Sequence, residues 1–142
     1  MTATMMGRAP QLARLPFPEP RGTRTAVLAD DDRFTRRAIR RVLEGLGYDV
    51  FEAEDGQQAW SYLRTHPGVQ LLVTDLVMPR MNGLQLILAA HRWDPELSVV
   101  AVTGASSGDS RLHSARVRGA ASVLKKPFRL QEARDAIRVA TR

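Results

Sequence analysis

Along this chain, short apolar runs bounded by turn residues alternate with stretches whose apolar residues recur every three or four positions. The runs TAVLA (25–29), YDVFEA (48–53), 69–74, SVVAVT (98–103) and ASVL (121–124) predict five strands, several of them buried on both faces. The stretches between them predict helices. In the first, Ile39, Val42, Leu43 and Leu46 fall at i, i+3, i+4 and i+7, and Gly47 suits a helix C-terminal end. In the second, Ala59, Tyr62 and Leu63 face inward. Three more are expected near 84–92, 109–118 and 129–140, with the weakest pattern at 109–118.

Residues 1–24 break this rhythm. They hold four prolines, several small residues and no periodicity, so a disordered or extended arm is expected, with Met5 or Met6 as an alternative start. The regular pattern predicts one domain over 25–142. Five strands alternating with five helices call for a doubly wound, mostly parallel α/β sheet.

Ligands of such sheets bind beyond the carboxyl ends of the strands, so the polar residues there become informative. Strand 1 ends in Asp30–Asp31–Asp32, strand 3 in Asp75, strand 4 in Thr103, and strand 5 runs into Lys125–Lys126–Pro127. Glu52, Glu54 and Asp55, after strand 2, read as surface charges. A lone buried carboxylate is costly, so Asp75 needs partners, and the other strands deliver them to the same edge. Clustered carboxylates repel one another unless a cation sits among them. Oxygen ligands without clustered histidine or cysteine select a hard cation: magnesium, calcium, or manganese as a substitute. A carboxylate nucleophile, a lysine and a hydroxyl beside such a cation suit phosphoryl chemistry.

Composition narrows the class. Hydrophobic content of 44% and charged content of 25% are those of an ordinary globular domain. No apolar run approaches the ~18 residues of a membrane span, and no signal-peptide pattern appears. The absence of cysteine excludes disulfides and thiolate metal sites and fits a cytoplasmic location. The net charge is +6, half of it in the first 24 residues.

Blander readings compete. Asp30–Asp32 alone would equally suit a solvated turn capping helix 1. His66, His91 and His113 follow no ligand spacing. Arg33, Arg36, Arg37, Arg40 and Arg41 form either a solvated face of helix 1 or a docking surface. Trp60 and Trp93 read as space-filling.

The segments VLADDDRFTRR, LLVTDLVMPRMNGLQL, VVAVTGASS and ASVLKKPF, in this order, resemble the receiver domain of two-component response regulators across residues 25–140. The resemblance implies a flavodoxin-like sheet of order 2-1-3-4-5 and a stand-alone phospho-accepting switch or relay protein. Such a protein is not an enzyme beyond its own phosphorylation and dephosphorylation. It implies Asp75 as acceptor from a histidine kinase or phosphotransfer protein. Mg2+ would be held directly by Asp31, by Asp30 mainly through water, by Asp75 and by the backbone carbonyl of Val77. Thr103 and Lys126 match the phosphoryl-binding hydroxyl and lysine, Pro79 and Gly83 the loop after the acceptor, and Pro127 a proline whose peptide bond is usually cis. It also implies a downstream protein target on the helix 4–strand 5–helix 5 face, where Arg111, Arg116, Arg118 and Arg129 cluster, and a monomer or weak dimer. The same resemblance makes helix 1 the face that meets the phosphodonor.

Two departures stand out. Val123 replaces the tyrosine or phenylalanine common in strand 5, so switching is expected through the loop at 104–109 and helix 4, with little change in helix 2. Val77 and Ala105 place apolar or small side chains beside the acceptor. The competing function classes are a non-phosphorylated interaction module, which could bind nucleic acid through the basic arm, and an aspartate-nucleophile hydrolase. The first would show loss of a site residue, and none is lost. The second would carry another aspartate two residues after the nucleophile, where Val77 stands.

Overall fold

The computed structural model describes residues 24–104 and 108–142. Elements alternate through them: β1 (Arg24–Ala29), α1 (Arg33–Gly45), β2 (Tyr48–Ala53), α2 (Gly56–Thr65), β3 (Leu71–Asp75), α3 (Gly83–Trp93), β4 (Ser98–Thr103), α4 (Gly108–Arg118), β5 (Ser122–Lys125) and α5 (Leu130–Ala140). The strands form one parallel sheet of order β2-β1-β3-β4-β5, as the α/β reading requires. The expected arm and Ala105 lie outside the described residues. Arg24, assigned to the arm, instead opens β1, where its guanidinium lies 4.5 Å over the Tyr48 ring and donates to the Leu46 carbonyl.

Alternation along the strands divides the core into two layers. Ala26, Leu28, Leu71, Val73, Val100, Val102 and Leu124 point toward α1 and α5, packing on Ile39, Leu43, Ala133 and Ile137. Val27, Ala29, Leu72, Val99 and Ala101 point toward α2, α3 and α4, packing on Ala59, Leu63, Leu86, Ile87 and Ala115. β3 is buried along its whole length, which explains its nearly continuous apolar run. It starts at Leu71 rather than 69, although Gln70 already bonds to both neighbours, from its N–H to Thr25 O at 2.9 Å and from Ser98 N–H to its carbonyl at 3.2 Å.

Local chemistry sets the helix ends. Asp32 caps α1, Asp55 caps α2, and Asn82 with Gln85 forms a capping box on α3. Gly47, at φ +94°, takes the left-handed position after α1. α4 is the loosest helix: Ala115 is its one buried side chain among those described, and Val117 is 71% exposed. The two tryptophans fill space only in part. They meet edge to face at 6.2 Å between α2 and α3, and Trp93 stays half exposed.

Two glycines show how closely the backbone packs at the carboxyl edge. A Cβ on Gly83 would lie 2.0 Å from the carbonyl oxygen of Asp75, whereas one on Gly45 would meet nothing within 4 Å. Gly83→Ala is therefore expected to destabilise the fold by about 1–3 kcal/mol or more, through forced overpacking. Gly45→Ala, in the last turn of α1, should stabilise it by up to about 1 kcal/mol. Urea denaturation midpoints of the two variants check both signs.

Candidate functional site

Asp30, Asp75 and Lys126 continue the strand positions that point toward α1 and α5, so the parallel register brings them together at the carboxyl edge. Lys125 has the opposite parity and is exposed. Parity thus selects Lys126 from the lysine pair. Its Nζ lies 3.2 Å from Asp75 Oδ2 and 3.2 Å from Asp30 Oδ2. The bond to Asp75 is aligned. That to Asp30 is a charged contact only, and Asp30 Oδ2 is enclosed without an aligned donor.

The acidic triplet divides its labour. Asp32 does the capping, accepting from Phe34 N–H at 3.1 Å and from Thr35 Oγ1 at 2.7 Å. Asp30 is 1% exposed, and its Oδ1 accepts from Asp32 N–H at 2.8 Å. Asp31 is exposed at the mouth. One carboxylate oxygen each from Asp30, Asp31 and Asp75 lies within 4.8 Å of the others. Three carboxylates beside one ammonium leave an excess of negative charge, and the enclosed Asp30 oxygen, though 3.2 Å from Lys126, has no aligned donor. That donor set fits a hard divalent cation such as Mg2+, with room for further oxygen ligands.

Electrostatics follow from this crowding. Burial pushes the Asp30 carboxyl up to about 6, and the Asp75 charge adds to it, against the Asp32 N–H and Lys126. Burial pulls the Lys126 ammonium down, but the charges of Asp30 and Asp75 outweigh it and hold its pKa above the usual lysine value.

The other expected site residues surround this centre. Thr103 is buried at the end of β4, where its Oγ1 makes only a long 3.4 Å bond to the Gly104 carbonyl. Its own carbonyl accepts from Lys126 N–H at 2.7 Å, tying β4 to the lysine. Val77 N–H donates to Asp75 Oδ1 at 3.3 Å, and the Val77 side chain is 53% exposed. The Lys126–Pro127 peptide bond is cis. Val123 is half-buried on the α2–α4 side, the side to which Thr103 belongs by parity.

Several surface assignments are corrected. Asp55 is 3% exposed, not a surface charge, because it caps α2 and receives Arg80 Nε at 2.7 Å. Burial alone would raise its pKa, but the Gln58 N–H and Arg80 outweigh it and hold it low. Glu52 is paired as well: Arg40 and Arg36 both bind it and keep its pKa below the usual carboxylate range. Arg36 also donates to the Asp30 carbonyl at 2.9 Å. Arg36 and Arg40 therefore brace α1 against β2, with Arg40 still partly exposed, and the exposed arginines of α1 are Arg33, Arg37 and Arg41. No spacing rule in the sequence marks these braces, since their partners lie on other elements.

Comparison with known proteins agrees with this geometry. Residues 26–138 match the model of the response regulator receiver domain. The chain is 38% identical to the response regulator receiver protein CpdR of Brucella abortus, over 75% of this chain and 87% of that protein. It is 34% identical to the chemotaxis protein CheY1 of Helicobacter pylori, over 80% and 93%. Among solved structures, the receiver domain of AraT, a response regulator from Geobacillus stearothermophilus, superposes with a TM-score of 0.73 at 30% identity, covering 82% of this chain and 92% of that one.

The raised Asp30 pKa sets a pH dependence. An unfolded aspartate titrates near ~4. Between there and about 6 the folded cation-free protein keeps a proton that the unfolded chain has lost. The stability contributed by Asp30 is thus fully present below about pH 4 and is lost as pH rises through 6. Asp30→Asn should remove this component, so its stability relative to wild type should improve across that window and level off above it. Denaturation curves at pH 4 to 7 without divalent cation check the sign.

Proposed function

Because the chain belongs to the response regulator receiver domain family, we propose that Asp75 accepts a phosphoryl group from a phosphohistidine donor in a Mg2+-dependent reaction. The observation that carries this reading is the placement of Lys126 between the Asp75 and Asp30 carboxylates, with Asp31 at the open side. Asp75 Oδ2 is engaged by Lys126, whereas Oδ1 holds only the long bond from Val77 N–H, so Oδ1 is the freer nucleophile. Its attack forms an O–P bond as the donor's N–P bond breaks, and the leaving imidazole takes up a proton.

Mg2+ would be held by Asp31, Asp30 mainly through water, Asp75 and the Val77 carbonyl, and would neutralise phosphoryl oxygens. Lys126 then exchanges its carboxylate contact for a charge-assisted bond to a phosphoryl oxygen. The weakly held Thr103 hydroxyl reorients toward another. The added charge of roughly −1.5 to −2 draws both groups inward, and that movement alters partner binding on the α4–β5–α5 side.

The donor docks beside the acceptor. Phe34, Thr35, Ala38, Pro127, Phe128 and Leu130 line an open groove that reaches Lys126. Phe34 is 71% and Leu130 50% exposed, and Arg33, Arg37 and Arg41 run along the outer face of α1. An apolar centre with a basic margin suits an acidic-rimmed helical surface presenting the phosphohistidine.

Acetyl phosphate should raise the intact mass of wild type but not of Asp75→Asn, and excess chelator should suppress the change. A mass increase in the variant would show that phosphorylation lies elsewhere.

Charge reversal at Arg33, Arg37 and Arg41 should slow transfer from the cognate phosphohistidine protein and leave acetyl phosphate reactivity intact. Wild-type transfer should weaken in parallel as salt rises, since exposed charges are screened over about 8 Å at physiological ionic strength. Arg36→Ala should differ, losing stability and reactivity toward both donors, because Arg36 braces Asp30. Transfer kinetics with the two donors separate these outcomes.

A further inference from the structure

Arg80 is the one non-glycine residue with positive φ among the described residues, at 69°. Glycine takes this conformation without steric cost, and a side chain at it must be held by something else. What holds it is Asp55, which receives Arg80 Nε at 2.7 Å. The two ends of the pair differ. The arginine side chain is 64% exposed and the aspartate 4%. Asp55 is also fixed through its other oxygen, which accepts Gln58 N–H at 2.8 Å at the start of α2. Arg80 therefore reaches from a surface loop to a buried, doubly bonded anchor.

The loop it belongs to joins Asp75 to α3. Its backbone bonds are mainly internal: Gly83 N–H to Leu76 O at 3.0 Å, and Met81 N–H to Pro79 O at 2.9 Å. Leu76 and Met78, on either side of Val77, are buried in the core, and Leu76 N–H bonds to Val102 O at 3.0 Å; beyond them the loop is attached outward at Arg80 and Met81. A Cβ on Gly56, the first residue of α2, would lie 2.0 Å from the Met81 carbonyl oxygen, so the loop rests directly on that helix start. Val77, at the near end, is largely exposed and contributes no comparable side-chain anchor.

We propose that Arg80 is a positioning residue: its ion pair with Asp55 clamps the loop after Asp75 onto α2 and so holds the Val77 carbonyl in place for the cation. The proposal rests on the reading of Asp75, Mg2+ and Val77 given above. It adds α2 to the elements that determine cation affinity. The clamp requires the Arg80 guanidinium, whereas glycine would satisfy the backbone alone.

Arg80→Gly tests this directly, because glycine relieves the backbone while removing the clamp. Mg2+ affinity of the unphosphorylated protein is read from the Asp75 and Val77 amide shifts during titration. The Mg2+ dissociation constant of the variant should rise about tenfold, the lower end for loss of a group that supports a metal ligand, while the thermal midpoint falls only modestly because backbone relief offsets the lost ion pair. Asp55→Asn, which keeps an oxygen for the α2 cap, should weaken Mg2+ in the same direction. The acetyl phosphate rate of Arg80→Gly should fall at limiting Mg2+ and recover when Mg2+ is saturating. Wild-type Mg2+ affinity in Arg80→Gly would overturn the clamp while leaving the Asp75 reading intact. A wild-type protein whose Asp75 and Val77 amides ignore Mg2+ would overturn both.

Discussion

Three carboxylates converge on one edge of the sheet with a single ammonium between them, and much of the surrounding structure answers that imbalance. Lys126 is placed by strand parity so that it meets Asp75 and Asp30 together. Asp30 is held from behind by Arg36, whose guanidinium bonds its carbonyl while pairing with Glu52. Asp32 leaves the cluster altogether and spends its oxygens on the start of α1. The arrangement holds negative charge that it does not fully neutralise, which is the condition under which a divalent cation binds strongly.

Holding like charges together requires a rigid frame, and here the frame is backbone against backbone. Gly83 lets α3 begin against the Asp75 carbonyl, and Gly56 lets α2 begin against Met81. The acceptor strand, its following loop and two helix starts thus form one unit. The loop after Asp75 packs at Gly56 and Gly83 too closely for a Cβ to fit, and the Arg80–Asp55 ion pair joins the same loop to α2.

The two helical layers differ in how firmly they are held. α1 and α5 bury several apolar residues each, and β5 is tied to α5 by Ser122 Oγ donating to the Ala136 carbonyl at 2.7 Å. α4 buries Ala115 alone among its described side chains, so it is the helix most easily displaced. Val123 lies half-buried on that same side and is stiff about its first torsion, so it cannot make the large swing of a longer aromatic side chain. The outer face of α4 carries Arg111, Arg116 and the exposed Val117.

The sequence by itself determined the alternation of elements and the arrival of Asp30, Asp75, Thr103 and Lys126 at one edge. Those features follow from periodicity and from strand ends, both of which are local. Tertiary structure alone decided what the remaining charges do. Asp55 and Glu52 read as ordinary surface acids along the chain, yet one is buried under Arg80 and the other lies between Arg36 and Arg40. Their partners are 25 and 16 residues away for the pairs with Arg80 and Arg36, distances at which no helical or strand repeat relates two positions. An ion pair between elements depends on where whole elements pack, and that is settled by burial of the core rather than by the spacing of the charges themselves.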